Sequence, residues 1–324
     1  QLLGSLLYVY NDQYDARWNY SGAIGSTPSS LAGLGFSASI LYGFLESAPT
    51  GYSWGSDFSA LPSQYRNSAK LALAAYSNLA NISFVLTAYA YSASMRFGMN
   101  AQSDGTVGYA YAPAFSYTYS PDDGTIIGVA ETEEAGDIWL NNSILYSQEE
   151  LSPGGEGFDT LLHEIGHAVG LKHPFEGART LGPEYDSEQY TVMSYTPHPH
   201  AKILDFRISG SESDYSYSYT LRDLSPRSLM LGDIASIQEL YGANKQYNAG
   251  ANTYKYSDSD LFIETIWDGG GVDTIDLSAM SFKCRVSLVP GEFSSIGIRD
   301  TDAQLRNLYS IPSYVDIKIA DISG

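Results

Sequence analysis

The sequence predicts an α+β fold in which a few long helices sit among many short strands. Two observations carry that expectation. Three stretches space their apolar residues at steps of three and four, the helical period, with short strand-like runs and turns between them. After about residue 245, helix patterning gives way to short strand runs and Gly/Asp turns. Residues 1–245 and 246–324 therefore read as two regions, the second small and β-rich.

The elements follow in order. Residues 1–60 are rich in Gly, Ser and Tyr and read as loops with a few strands. A helix is expected over Pro62–Leu79, because Tyr65, Ala69, Ala72, Tyr76 and Leu79 recur on one face. Strand-like pieces follow at Ile82–Thr87, Ser94–Gly98 and Val107–Ala112, then a turn-rich insertion around Ser116–Gly124 and a short strand at Asp137–Leu140. The second helix, Phe158–Leu171, has Phe158, Leu161, Leu162, Ile165, Ala168 and Val169 on its apolar side and Gly170 placed to stop it. A third spans Leu231–Tyr241, closed by Gly242-Ala243-Asn244.

Composition narrows the function. With 324 residues, 44% of them hydrophobic, the chain can bury a real core. A formal charge of −20 with only 17 Lys plus Arg repels phosphate backbones and anionic lipid, which argues against nucleic acid and membrane partners and favours divalent cations. The single cysteine, Cys284, rules out an intrachain disulfide. No apolar run approaches the ~20 residues of a membrane helix. The opening Gln1–Leu7 is short and uncharged, and reads as a mature end left by processing rather than a complete signal peptide.

The chemistry concentrates in His163-Glu164-Ile165-Gly166-His167-Ala168-Val169-Gly170-Leu171-Lys172-His173, which holds three of the five histidines. On a helix, His163 and His167 are four residues apart and project from one face, a spacing that suits one zinc ion. Glu164 is angled toward a water beside the metal rather than toward the metal, which suits a general base. Gly170 permits a sharp reversal that brings His173 round as third ligand. Three protein ligands with one open position describe a catalytic zinc site rather than a closed structural one. His198 and His200 read as loop residues, since a zinc that already holds three imidazoles does not need them. Read alone, Met193 is an ordinary core methionine.

HExxHxxGxxH followed by Thr191-Val192-Met193-Ser194-Tyr195 resembles the metzincin pattern, and within it the serralysin-type zinc metalloproteases. Pro174, Tyr195, Met95–Gly98, Gly136–Leu140 and Leu231–Asn244 resemble that family as well. The resemblance implies a metzincin catalytic domain with a twisted, mostly parallel sheet and the zinc helix under the cleft. It implies one catalytic zinc on His163, His167 and His173, Glu164 as base, and Met193 as a packing floor in a methionine turn. Tyr195 would be a catalytic residue and an additional zinc ligand that can leave to hydrogen-bond the oxyanion. Gly136, Asp137, Ile138, Trp139 and Leu140 would form the rim strand that binds substrate backbone. Asp268, Gly270, Gly271 and Asp273 resemble a calcium turn, so calcium is an expected cofactor in unspecified number. Two stretches depart from the family pattern: Tyr256–Leu261 looks shortened, and Lys318 stands where a calcium-binding glutamate would be. The tandem glycine/aspartate repeats of the family would begin about where the sequence ends, at Asp321–Gly324.

The implied function is a secreted, extracellular, broadly specific zinc endopeptidase acting on proteins or peptides, a monomer with a proteinaceous inhibitor as a candidate partner. The rivals are a metzincin of the astacin or matrix type, a non-catalytic binding module that keeps a zinc fold, and a calcium-dependent structural protein. Pro174 and the absence of cysteine pairs count against the first, and the presence of Glu164 against the second.

Overall fold

The computed structural model describes residues 4–10, 14–19, 33–50, 57–199, 202–299 and 301–319. His200 and the two chain ends, read in the sequence above, lie outside the described residues.

A short N-terminal ribbon, β1 (Val9–Tyr10) with β2 (Tyr14–Asp15), precedes β3 (Ala38–Phe44) and α1 (Ser63–Leu79). The five residues that place α1 by their spacing are all buried on its inner face. Then come β4 (Ile82–Leu86), β5 (Met95–Asn100) and β6 (Gly108–Ala110). The expected turn-rich insertion is instead an antiparallel hairpin of β7 (Phe115–Tyr119) and β8 (Ile126–Glu131). Its turn falls at Ser120–Thr125, and the alternation of aromatic residues with Ser116 and Thr118 in its first arm suits a strand exposed on one face. Strand β9 (Ile138–Asn141) leads to α2 (Glu156–Ala168).

The main sheet has the order β4-β3-β5-β9-β6. Its first four strands are parallel, and β6 runs antiparallel to β9 as the last strand. Sheet and helices bury a single apolar core that includes Phe97, Tyr65, Tyr76, Phe158, Ile165 and Tyr241. Each fully buried side chain of this size contributes roughly 1.5–3 kcal/mol. α1 buttresses α2 directly: Tyr76 Oη donates to the Leu162 carbonyl at 2.6 Å, inside this core.

Beyond α2, β10 (Lys202–Ser211) and β11 (Asp214–Asp223) form a second hairpin, which the sequence reading passed over, before α3 (Leu231–Tyr241). Strand β12 (Thr253–Ser257) pairs in parallel with β13 (Thr274–Ala279), and β14 (Lys283–Arg285) antiparallel with β15 (Ser295–Ile298). The β-rich texture expected there is present, with one addition: the short α4 (Asp302–Leu308), started by a Thr301/Gln304 capping box. Packing continues across residue 245. Ile263 belongs to the main core, Trp267 Nε1 donates to the Asn244 carbonyl at 3.0 Å, and Leu204 of β10 packs with Leu305, Ile311 and Val315. Among the described residues no helix is long and apolar enough to cross a membrane.

Where β5 pairs with β9, the Trp139 ring occupies the space beside Gly98: a Cβ there would lie 2.2 Å from the ring. Gly98→Ala is expected to lower unfolding stability by about 1–3 kcal/mol, read from the urea midpoint, because the buried ring has nowhere to move.

Candidate active site

Helix α2 ends in a Schellman motif. Leu171 N–H donates to Gly166 O at 2.8 Å and Gly170 N–H to His167 O at 3.0 Å, with Gly170 at φ +111°. The helix thus stops at Ala168, three residues before the expected end, and Gly170 makes the reversal read from the sequence. The last carbonyls find side-chain donors: Trp18 Nε1 on Ala168 O and Tyr241 Oη on Val169 O, both at 2.8 Å. A Cβ at Gly170 would lie 2.0 Å from the Ala16 carbonyl, so only glycine fits both the backbone angle and the packing.

The reversal brings His163, His167 and His173 together. His173 Nε2 is 3.1 Å from Nε2 of both His163 and His167. These three are the one group of metal-capable side chains among the described residues. His163 Nδ1 lies 2.8 Å from Val192 O and His167 Nδ1 2.8 Å from Leu171 O. A carbonyl oxygen only accepts, so each Nδ1 carries the proton and each Nε2 presents a lone pair. His173 Nδ1 lies 2.8 Å from Glu176 Oε1, an ion-pair distance rather than an aligned hydrogen bond. Lone pairs facing one another at 3.1 Å repel unless a cation joins them. The spacing approaches the ~3.3 Å edge of a tetrahedron with 2.0–2.1 Å zinc–nitrogen bonds, so the residues fit zinc. Burial pushes His163 down to about 4 and His167 well below its ordinary value, keeping both neutral as ligands must be.

Glu164 projects from the same helix into a cavity of about 1590 Å³ that His163 and Tyr195 also line. It is 3% exposed, Oε2 has no hydrogen-bond partner, and burial pushes the carboxyl up to about 8. Its other oxygen lies against β6, where a Cβ at Gly108 would come within 3.0 Å of Oε1. That glycine was not singled out in the sequence, because nothing local marks a strand glycine as room for a side chain far along the chain.

Met193 is fully buried beneath α2, its sulfur close enough that a Cβ on Gly166 would meet it at 2.5 Å. Its turn hangs on Asp233 of α3, whose carboxylate accepts from Thr191 Oγ1 at 2.6 Å, Val192 N–H at 3.0 Å and Met230 N–H at 2.9 Å. Since Val192 also orients His163, the buried Asp233 acts on the site through one residue. Tyr195 is largely exposed, yet its Oη reaches 2.8 Å from His173 Nε2. His198 stands apart from the three clustered histidines, its backbone N–H donating to Glu188.

Lys172 gives the turn an unexpected anchor. Its ammonium donates to the carbonyls of Ser5, His173, Glu176 and Arg179, tying the N-terminal segment to the loop that carries His173. Burial lowers its pKa.

The rim-strand expectation needs correction. Ile138, Trp139 and Leu140 lie in β9, which is fully buried and paired on both edges, with β5 and β6. Gly136 N–H is bound to Tyr111 O, and Asp137 is buried against Arg96. An interior strand has no free backbone groups to offer; the edge strand on that side is β6. The calcium turn is also self-contained as described. Asp268 accepts from Tyr254 Oη and Gly270 N–H, Asp273 from Asn252 N–H, and Gly270 and Gly271 have φ of +145° and +127°. A Cβ at Gly271 would lie 2.1 Å from the Gly250 carbonyl. At Gly270 nothing lies within 4 Å of an added Cβ, so only its backbone angle calls for glycine there.

A parallel-rich sheet over a histidine-bearing helix, a glycine reversal to a third histidine and a buried methionine turn define the metzincin class. The family model "Peptidase M10 serralysin C terminal" matches residues 233–311. The chain is 31% identical over 308 residues to a serralysin of Photorhabdus sp. (strain Az29), covering 87% of this chain and 55% of that one. It is 32% identical over 292 residues to serralysin C of Dickeya chrysanthemi (81% and 53%), and 30% identical over 263 residues to metallopeptidase AprA of Pseudomonas marginalis (75% and 50%). Over most of its length the chain is therefore similar to the serralysin-type metalloproteases of peptidase family M10. It spans about half the length of the curated relatives it matches.

Lys172→Met is expected to weaken zinc retention roughly 10–100-fold in a chelator competition, because the loop behind His173 loses its tie. Retention equal to the parent would mean that the four carbonyls hold the loop without the ammonium.

Proposed function

We propose that the chain is a zinc-dependent endopeptidase that acts outside the cell on internal peptide bonds of proteins with broad specificity. The observation that carries this is the convergence of three lone-pair imidazole nitrogens beside a buried, unpartnered carboxylate in an open cleft. The relatives' names, serralysin and metallopeptidase, support it. In this reading residues 1–245 carry the catalytic unit and 246–324 its β-rich extension.

His163, His167 and His173 would hold the zinc through Nε2. Bound there, zinc would lower the pKa of water from 15.7 toward about 7 and polarise a carbonyl. Glu164 Oε2 takes the proton from the attacking water and later hands it to the leaving amine. Burial suits this exchange, because a carboxylate raised from its ordinary value holds a proton more readily between the two steps. Tyr195, whose exposed ring is free to move off His173, donates its hydroxyl hydrogen to the developing oxyanion. The free edge of β6 pairs with an extended substrate backbone, which gives breadth because backbone pairing ignores side chains.

Glu164→Gln is expected to retain its zinc while casein hydrolysis falls by about 10²–10⁴. Tyr195→Phe is expected to lose about 10²–10³ in kcat with little change in KM, since its hydrogen bond forms only in the transition state. A zinc-loaded parent that leaves casein and unfolded peptides intact would overturn the reading.

A further inference from the structure

The catalytic cavity carries nine carboxylates among its lining residues and no lysine or arginine. Three of them are placed to matter. Glu156 and Asp159 lie on α2 ahead of His163, and Glu188 stands on the loop leading to the methionine turn. Asp159 is one helical turn before His163, about 6 Å along the axis at 1.5 Å per residue. An extended peptide advances about 3.3 Å per residue, so for a backbone running alongside α2 a side chain there would belong to a substrate residue about two positions from the reacting bond.

Asp159 Oδ1 is shielded from solvent and has no hydrogen-bond partner. The carboxyl is held well above its ordinary value by burial and then by Glu188, Asp233 and Glu156; Glu188 is itself pushed up to about 7 by burial. Other carboxylates of the cavity are already engaged: Asp223 with Lys202, and Asp260 with the Ser257 N–H. Glu164, whose Oε2 is also unpartnered, lines the same cavity one helical turn beyond Thr160, so the acidic pair opens onto the place where the reacting bond would lie.

We propose that this cleft selects substrates bearing a lysine or arginine within about two residues of the scissile bond, with Asp159 and Glu188 receiving the cation. The inference rests on the endopeptidase reading and deepens it by naming a substrate class. A substrate ammonium or guanidinium would supply the missing donor to Asp159 and relieve its repulsion with Glu188. An acidic side chain at the same place would meet carboxylates on both walls, so the site rejects as well as selects.

The test is a set of internally quenched peptides that place Lys, norleucine or Glu at each of the three positions on either side of one cleavable bond. At one position near the bond, kcat/KM for Lys is expected to exceed that for norleucine by at least ~10-fold, and Glu to be the poorest. The Lys preference should shrink in 1 M salt, where screening shortens to about 3 Å. The Asp159→Asn/Glu188→Gln double variant, checked for folding by circular dichroism, should bring the Lys:norleucine ratio near one. Equal rates for all three residues at every position would overturn this inference and leave the endopeptidase reading intact. A preference that survives both high salt and the double variant would overturn the assignment to Asp159 and Glu188. Cleavage of no peptide would overturn both readings.

Discussion

Three imidazole nitrogens that all present lone pairs cannot rest 3.1 Å apart without a cation, and much of the structure serves to keep them there. The carbonyls of Val192 and Leu171 fix the protons of His163 and His167 on the far side of each ring. Each carbonyl is itself held. Val192 is tied to Asp233, which binds the methionine turn to the start of α3, and Leu171 is fixed by the Schellman closure of α2. Two glycines make the approach possible, one by its backbone angle at Gly170 and one by its missing side chain above Met193 at Gly166. The site is therefore preorganised by backbone rather than by long side chains, which limits how far the ligands can relax apart.

The same burial that keeps the imidazoles neutral leaves Glu164 without a partner and raises its affinity for a proton. A stability argument alone would remove such a carboxylate, since an orphaned buried acceptor costs about 1–3 kcal/mol. Its place beside three converging imidazoles fits the proton-transfer role proposed for it. The acidic walls extend this electrostatic character outward, and β6 supplies a strand edge next to it. The histidine cluster, the unpartnered carboxylate and the edge of β6 lie beside one cleft.

Much of this was legible in the sequence because it depends on local spacing. The i, i+4 histidines, the glycine reversal and all three long helices follow from periodicity within a window of a dozen residues, and the structure places each helix within three residues of its expected end. What escaped depends on contacts distant in the chain. Whether Trp139 or Tyr109 lies on an edge is settled by strand order, which no short window reveals: β9 is an interior strand and β6 the edge strand beside it. Gly108 matters only through Glu164, and Lys172 only through carbonyls as distant as Ser5. The β10–β11 hairpin had a readable signal in the Tyr-Ser-Tyr-Ser-Tyr alternation of residues 215–219, but its apolar face is covered from residues 305–319, beyond any local pattern. The short α4 was marked only by its capping box.

The central claim is that His163, His167 and His173 form one zinc site with an open position. X-ray absorption at the zinc edge on the purified protein, with the metal counted per chain, tests it most directly. The account predicts one zinc per chain, with three imidazole nitrogens at about 2.0–2.1 Å and oxygen completing the shell. A protein that binds no zinc, or whose zinc shell lacks the three-imidazole signature, would contradict it.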